Sequence, residues 1–132
     1  MDLKCFATPW EYQDWAIHGP DCGISVATWH GRTAGFAAGR QDIKEPDSFF
    51  LLKIGVRKHH RLYGIGSKLM DAMVGYATVR GFDRMHTILA ESLAYTCHDW
   101  LKRLGFKATG VINEAFLNCG HLEDGIRFAK GL

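Results

Sequence analysis

Residues Ile54 to Leu69, IGVRKHHRLYGIGSKL, decide how this 132-residue chain is read. An apolar run ends at Val56, the basic cluster RKHHR follows, and Gly64 and Gly66 then precede the helix-forming run SKLMDAMVGYATVRG. Glycines there let backbone N–H groups approach an anion without Cβ obstruction. The N-terminal end of a helix adds the positive pole of its dipole. The stretch therefore reads as a phosphate-binding turn, and its spacing must say which phosphate it suits.

Two familiar phosphate loops do not fit. The nucleoside-triphosphate loop needs G-x-x-x-x-G-K-[S/T], but Gly66 is followed by Ser67 and then Lys68, and position 61 is arginine. The dinucleotide fingerprint needs G-x-G-x-x-G tight against a strand end. Here Leu69 holds the third position, and Arg57 to Tyr63 separate Val56 from Gly64.

The neighbouring segments supply the architecture. Upstream, DSFFLLKIGVR is an apolar, β-prone run, so Phe49–Val56 is expected as a central strand covered on both faces. GISVATWHGRTAGFAAG predicts a hairpin turning at Gly31. ATPWEYQDW predicts an earlier helix, with Thr8 as cap, Pro9 in the first position and Glu11 at capping-box spacing. Downstream, Ile65, Leu69, Met73 and Ala77 recur every four positions, with Met70 and Val74 alongside, and Gly81 suits a helix end. FDRMHTILA predicts a strand. SLAYTCHDWLKRLGF predicts a second helix, capped by Ser92, buried along Leu93, Cys97, Trp100, Leu101 and Leu104, and stopped at Gly105. FKATGVINEAFL and GHLEDGIRFA predict two last strands. The expectation is an α/β protein: one domain over residues 1–132, a mixed β-sheet flanked by helices.

With these elements in place, IGVRKHHRLYGIGSKL resembles the acyl-CoA motif of the GNAT family of N-acetyltransferases: a strand ending in valine, a short loop, then [R/Q]-x-x-G-x-[G/A] opening a helix. Arg61, Gly64 and Gly66 match the motif, and Ile54 and Val56 match the strand end. WLKRLGF resembles the family segment in which an aromatic residue and a tyrosine precede Gly-Phe, and GRTAGFAAG resembles its glycine-led hairpin strand. The resemblance spans roughly Ser25 to Phe106 and implies the acyl-CoA N-acyltransferase fold. It also implies acetyl-CoA as co-substrate and transfer of the acetyl group to a primary amine. Ile54, Gly55, Val56, Arg61, Leu62, Tyr63, Gly64, Ile65, Gly66 and Ser67 are the implied cofactor-binding residues. Arg57, Lys58 and Arg61 would supply counter-charge to the nucleotide end.

The catalytic end departs from the pattern. Counting back from LGF, the tyrosine that protonates the departing thiolate in many members falls at Leu101, and a frequent asparagine falls at Ala94. Glu91, Ser92 and Tyr95, at the strand-to-helix junction, are the substitute candidates, each with a structural reading beside it: loop carboxylate, helix cap and surface aromatic. Glu45, Asp47 and His59 lie near the strand in sequence as bases; Trp10, Trp15, Trp29 and Trp100 are candidate acceptor-pocket aromatics, each with a core reading beside it, and Trp10 and Trp15 lead. Cys97 sits on the packing face and is not expected to act as a nucleophile. The missing tyrosine supports a second expectation, a protein of this fold that acts by binding another protein. The acceptor stays open, and the strands from Phe106 on offer a homodimer interface.

Composition narrows the rest. The net charge is +2, so nucleic-acid binding would rest on RKHHR alone and is not favoured. Cys5, Cys22, Cys97 and Cys119 make no C-x-x-C pair. His18 and Cys22 flank Gly and Pro and cannot share a helical turn, so no metal site is expected. The N-terminus lacks a signal-peptide core, and no apolar run would span a bilayer, so a cytoplasmic protein with reduced thiols is expected.

Overall fold

The computed structural model describes residues 22–61 and 63–132. The helix expected from Thr8, with Trp10 and Trp15, lies outside them. The strands are β1 (Gly23–Trp29), β2 (Arg32–Gln41), β3 (Ser48–Val56), β4 (Arg84–Ala90), β5 (Lys107–Asn118) and β6 (His121–Gly131). The helices are α1 (Ile65–Val79) and α2 (Glu91–Arg103), with a short 3-10 turn at Lys58–His60. The strands form one mixed sheet in the order β1-β2-β3-β4-β6-β5, the α/β arrangement expected from the element order. The described residues up to Met85, with Leu132, cluster as one compact unit, and His86–Gly131 as a second.

In the first unit, β1 and β2 form the expected hairpin. Its two turn residues, His30 and Gly31, have φ of 50° and 78°, the mirror-image turn that matches strand twist. Trp29 therefore pairs with Arg32 at the tip. β2 is built from small residues, and Ala34, Ala37 and Ala38 are fully buried. They let α1 lie close on β1, β2 and β3. Gly35 marks a close approach: a Cβ there would stand 2.6 Å from the Gly55 carbonyl oxygen and 3.1 Å from Leu69 Cδ1.

The four-residue repeat of α1 is the buried stripe predicted: Ile65, Leu69, Met70, Met73 and Ala77 all face the core. Each large side chain removed from water there contributes about 1.5–3 kcal/mol. The helix stops where Gly81 donates to the Thr78 carbonyl and Phe82 to that of Ala77, so the last carbonyls are satisfied by the chain that leaves.

β3 differs from the expectation. Phe49 and Leu51 are buried, but Lys53 is exposed, and Phe50, Leu52, Ile54 and Val56 are half-covered. The physical reason lies in the register: Ala38 pairs with Lys53 and Gly39 with Leu51, so Leu52 is a bulge residue without a β2 counterpart.

In the second unit, β5 and β6 pair antiparallel around the turn Cys119–Gly120. The buried face of α2 is centred on Ala94 and Leu101, seven positions apart and 6% and 2% exposed. Leu93, expected in this stripe, is 49% exposed, because it lies about 100° round the helix from Ala94. Gly105 ends the helix as predicted: its N–H donates to Lys102 and that of Phe106 to Leu101. Lys130 Nζ adds a 2.8 Å hydrogen bond to the Leu104 carbonyl.

Ser92 does not cap α2. The helix begins at Glu91 with Ala90 in the capping position, and no side chain there accepts a bond. Instead a carboxylate oxygen of Glu123, from β6, accepts the Ser92 N–H. A charged acceptor from a neighbouring strand does the work of a local cap and also opposes the positive end of the helix dipole. One residue on, Asp124 accepts the N–H of Glu114 at 2.9 Å, inside the irregular stretch of β5 between Ile112 and Phe116.

Candidate functional site

The segment between β3 and α1 is held at several points. Arg57 N–H donates to the Ala34 carbonyl at 2.7 Å, and His60 N–H to that of Arg57 at 2.9 Å. Arg61 Nε donates to the Val56 carbonyl at 3.1 Å, so the guanidinium is anchored to the strand it follows. Gly64 then takes φ 74° and ψ 12°, the left-handed region, and stands directly before Ile65. Nothing lies within 4 Å of where a Cβ on Gly64 would be, so the space above this backbone is open.

The helix start leaves room for an external anion. Gly64 offers no side chain to cap it, and no acid stands in its first turn. Lys68 N–H donates to the Gly64 carbonyl at 3.1 Å as the first bond of the helix, so the preceding N–H groups of Ile65 and Gly66 have no acceptor within the helix. Residues 57–68 contain Arg57, Lys58, Arg61 and Lys68 and no carboxylate. These donors and charges fit a pyrophosphate: several backbone N–H groups at a dipole's positive end, with cations alongside.

Of the residues read as cofactor-binding, Ile54, Gly55 and Val56 form the end of β3, and Arg61, Tyr63, Gly64, Ile65, Gly66 and Ser67 follow as the turn and helix start. Leu62 lies outside the described residues. The Ile65 side chain is 6% exposed and belongs to the core, which leaves its backbone to face a ligand. The sequence reading named Trp29 only as an acceptor-pocket candidate and did not place it beside the glycine turn. Its indole stacks on Tyr63, with centroids 5.5 Å apart and planes 29° apart, beside the turn. The available signal was the hairpin: antiparallel pairing of β2 with β3 brings the tip at Trp29 towards the end of β3.

In the second unit, a cavity of about 210 Å³ lies between α2 and the terminal strands, with Glu91, Tyr95 and His98 along one side and Ala108, Ile126 and Phe128 along the other. It brings Glu91 and Tyr95 together but does not include Ser92. Tyr95 is 82% exposed, which matches its reading as a surface aromatic. Leu101, in the tyrosine position, is a core residue. Burial raises the Cys97 thiol above its ordinary range, so the neutral, unreactive form is favoured. Of the bases considered, Glu45 lies 3.6 Å from Arg84, while Asp47 and His59 are exposed.

Strand order and helix placement define the acyl-CoA N-acyltransferase fold. The chain belongs to the GNAT family of acetyltransferases, whose family model, described as "Acetyltransferase (GNAT) family", matches residues 3–106. Among solved structures it is similar to a Bacillus subtilis acetyltransferase in complex with CoA, at 15% identity over 98% of this chain and 88% of that one, with a TM-score of 0.79. It is also similar to the ribosomal-protein-S18-alanine N-acetyltransferase from Escherichia coli, at 22% identity over 95% and 79% of the two chains, with a TM-score of 0.76. A GCN5-related N-acetyltransferase from Kribbella flavida aligns at 22% identity over 96% and 77%, again at 0.76. At such identities the likeness is one of fold. No curated protein matches the chain. Among the described residues, no helix is long and apolar enough to cross a membrane.

Proposed function

We propose that this protein transfers an acetyl group from acetyl-CoA to a primary amine, with residues 1–132 acting as one catalytic domain. The observation that carries the reading is the acid-free start of α1 on left-handed Gly64, within a basic turn inside the stretch the family model matches. Acetyl-CoA supplies the activated thioester when bound. The N–H groups of Ile65 and Gly66 would hold its pyrophosphate, with Arg61 and Lys58 as counter-charge.

The end of β3 has a second task. Attack by an amine places negative charge on the thioester oxygen, and a backbone N–H at Ile54–Val56 would donate to it. The Leu52 bulge turns that part of the strand and so directs its donors. The attacking amine must be neutral. A lysine-like amine with a pKa of about 10 gives up its proton to a base, directly or through water.

Burial of Leu101 leaves the departing thiolate without the tyrosine proton. A thiol of pKa about 8.5 is a fair leaving group, so water suffices to protonate it slowly. The same buried leucine favours a second reading, a CoA-binding protein of this fold that acts through a protein partner. Titration calorimetry with acetyl-CoA, followed by thiol release over a panel of amines, separates the two. Binding with turnover on an amine supports the enzyme. Binding without turnover on any amine supports the second reading, and absence of binding overturns both.

A further inference from the structure

Trp29 and Tyr63 form a surface aromatic pair that the fold itself does not require. Trp29 ends β1 at the hairpin tip and is 40% exposed, and Tyr63 immediately precedes Gly64 and is 61% exposed. Their rings stack at 5.5 Å. The His60 ring stands edge-on to the indole at 6.4 Å and that of His30 at 5.4 Å. Two chain segments thus converge on one aromatic surface, yet much of it stays in water. Such a pair gains little from burial compared with the fully enclosed Phe49.

Its location supplies the reason. Tyr63 is the residue before the glycine that opens the phosphate turn, and Lys58 and His59 stand exposed on the preceding 3-10 turn. On the reading that this turn holds the pyrophosphate of CoA, the ligand continues into a 3′-phosphorylated adenosine. Adenine is a flat π-system, and a rigid aromatic surface beside a cationic turn is the chemistry that receives a base and its phosphate. The stack also fixes Tyr63 before the ligand arrives, which reduces the ordering cost of binding.

We propose that the Trp29–Tyr63 pair is the adenine platform of this protein, with the ring of CoA stacking on its exposed face. The inference rests on the CoA reading of the Gly64 turn and adds the residues that hold the nucleotide end. Basic residues with exposed aromatics also suit single-stranded nucleic acid, but here the aromatic surface is one pair beside one phosphate turn, in a chain of net charge +2.

The test uses the full chain and compares acetyl-CoA with acetyl-4′-phosphopantetheine, which lacks the nucleotide. Trp29→Ala and Tyr63→Ala are each expected to weaken acetyl-CoA about tenfold by calorimetry and to leave acetyl-4′-phosphopantetheine unchanged. Trp29→Phe, which keeps an aromatic face, should retain most of the affinity, and adenosine 3′,5′-bisphosphate should compete with acetyl-CoA on the wild type. Thermal melts establish that each variant is folded.

Wild-type acetyl-CoA affinity in both alanine variants overturns the platform while leaving the Gly64 turn intact. Equal weakening of both ligands also overturns it, since the pair would then only shape the turn. Failure of the wild type to bind acetyl-CoA overturns the CoA reading and the platform with it. Trp29-dependent binding of a single-stranded oligonucleotide, with no acetyl-CoA competition, assigns the surface to nucleic acid instead.

Discussion

Substituting Gly64 separates stability from binding at one position. The residue sits at φ 74° and ψ 12°, where an L-residue with a Cβ is strained by about 1–2 kcal/mol. Among the described residues, nothing beyond Gly64's own chain neighbours lies within 4 Å of the added Cβ, so this strain is the main folding penalty for alanine. For a chain of this size it should lower the melting temperature by about 3–8 °C. Asparagine tolerates the left-handed region far better and should melt within about 2 °C of the wild type. Binding should rank differently. Asparagine places its amide in the space a pyrophosphate would occupy and should weaken acetyl-CoA at least about tenfold, while glutamate adds like charge and should abolish binding. Melts followed by circular dichroism and calorimetric titration read the two effects independently. Wild-type acetyl-CoA affinity in a folded Gly64→Asn or Gly64→Glu variant would refute the placement of the phosphates.

Leu101→Tyr places the family's usual residue where the chain has a core leucine; overpacking should cost about 1–3 kcal/mol, seen as a lower melting temperature, with no gain in the acetyl-transfer rate. Glu123→Ala removes the acceptor of the Ser92 N–H and should destabilise the protein by about 0.5–2 kcal/mol in chemical denaturation, whereas Glu123→Gln, which keeps an oxygen acceptor, should lose less. Burial disfavours the Cys97 thiolate, so peptide mapping after alkylation at neutral pH should find Cys97 modified more slowly than exposed Cys119. Its modification should accelerate as pH rises towards the raised pKa, because only the thiolate reacts.

Local signals carried most of the elements. The four-residue repeat from Ile65 to Ala77 and the tight turn at Gly31 are properties of short windows, and both appear where the sequence puts them. What escaped the reading is set at long range. The acceptor at the start of α2 comes from Glu123, 31 positions beyond Ser92, so no capping pattern around Ser92 could reveal it. The phase of α2 was misjudged at Leu93 because its apolar residues form a band wider than the strip that touches the sheet. The bulge at Leu52 is a mismatch between two strands, and neither strand's sequence shows it alone. At the candidate site, the left-handed glycine turn at the start of α1 was legible, because its glycines and basic residues stand together in one short window. The cavity of the second unit was not, because its lining residues are brought together by α2, β5 and β6 without any fixed spacing.

The adjacent acids of β6 have a further consequence. Glu123 accepts from Ser92 at the start of α2, and Asp124 accepts from Glu114 in the irregular part of β5. On paper they are two neighbouring charges on a strand; mechanically they act as a double clasp, one for a helix and one for a strand. Loosening this short stretch of β6 frees both amides in a single opening event. Ser92 and Glu114, far apart in sequence, are therefore expected to exchange their amide hydrogens in step, reporting one local unfolding unit with β6 as its hinge.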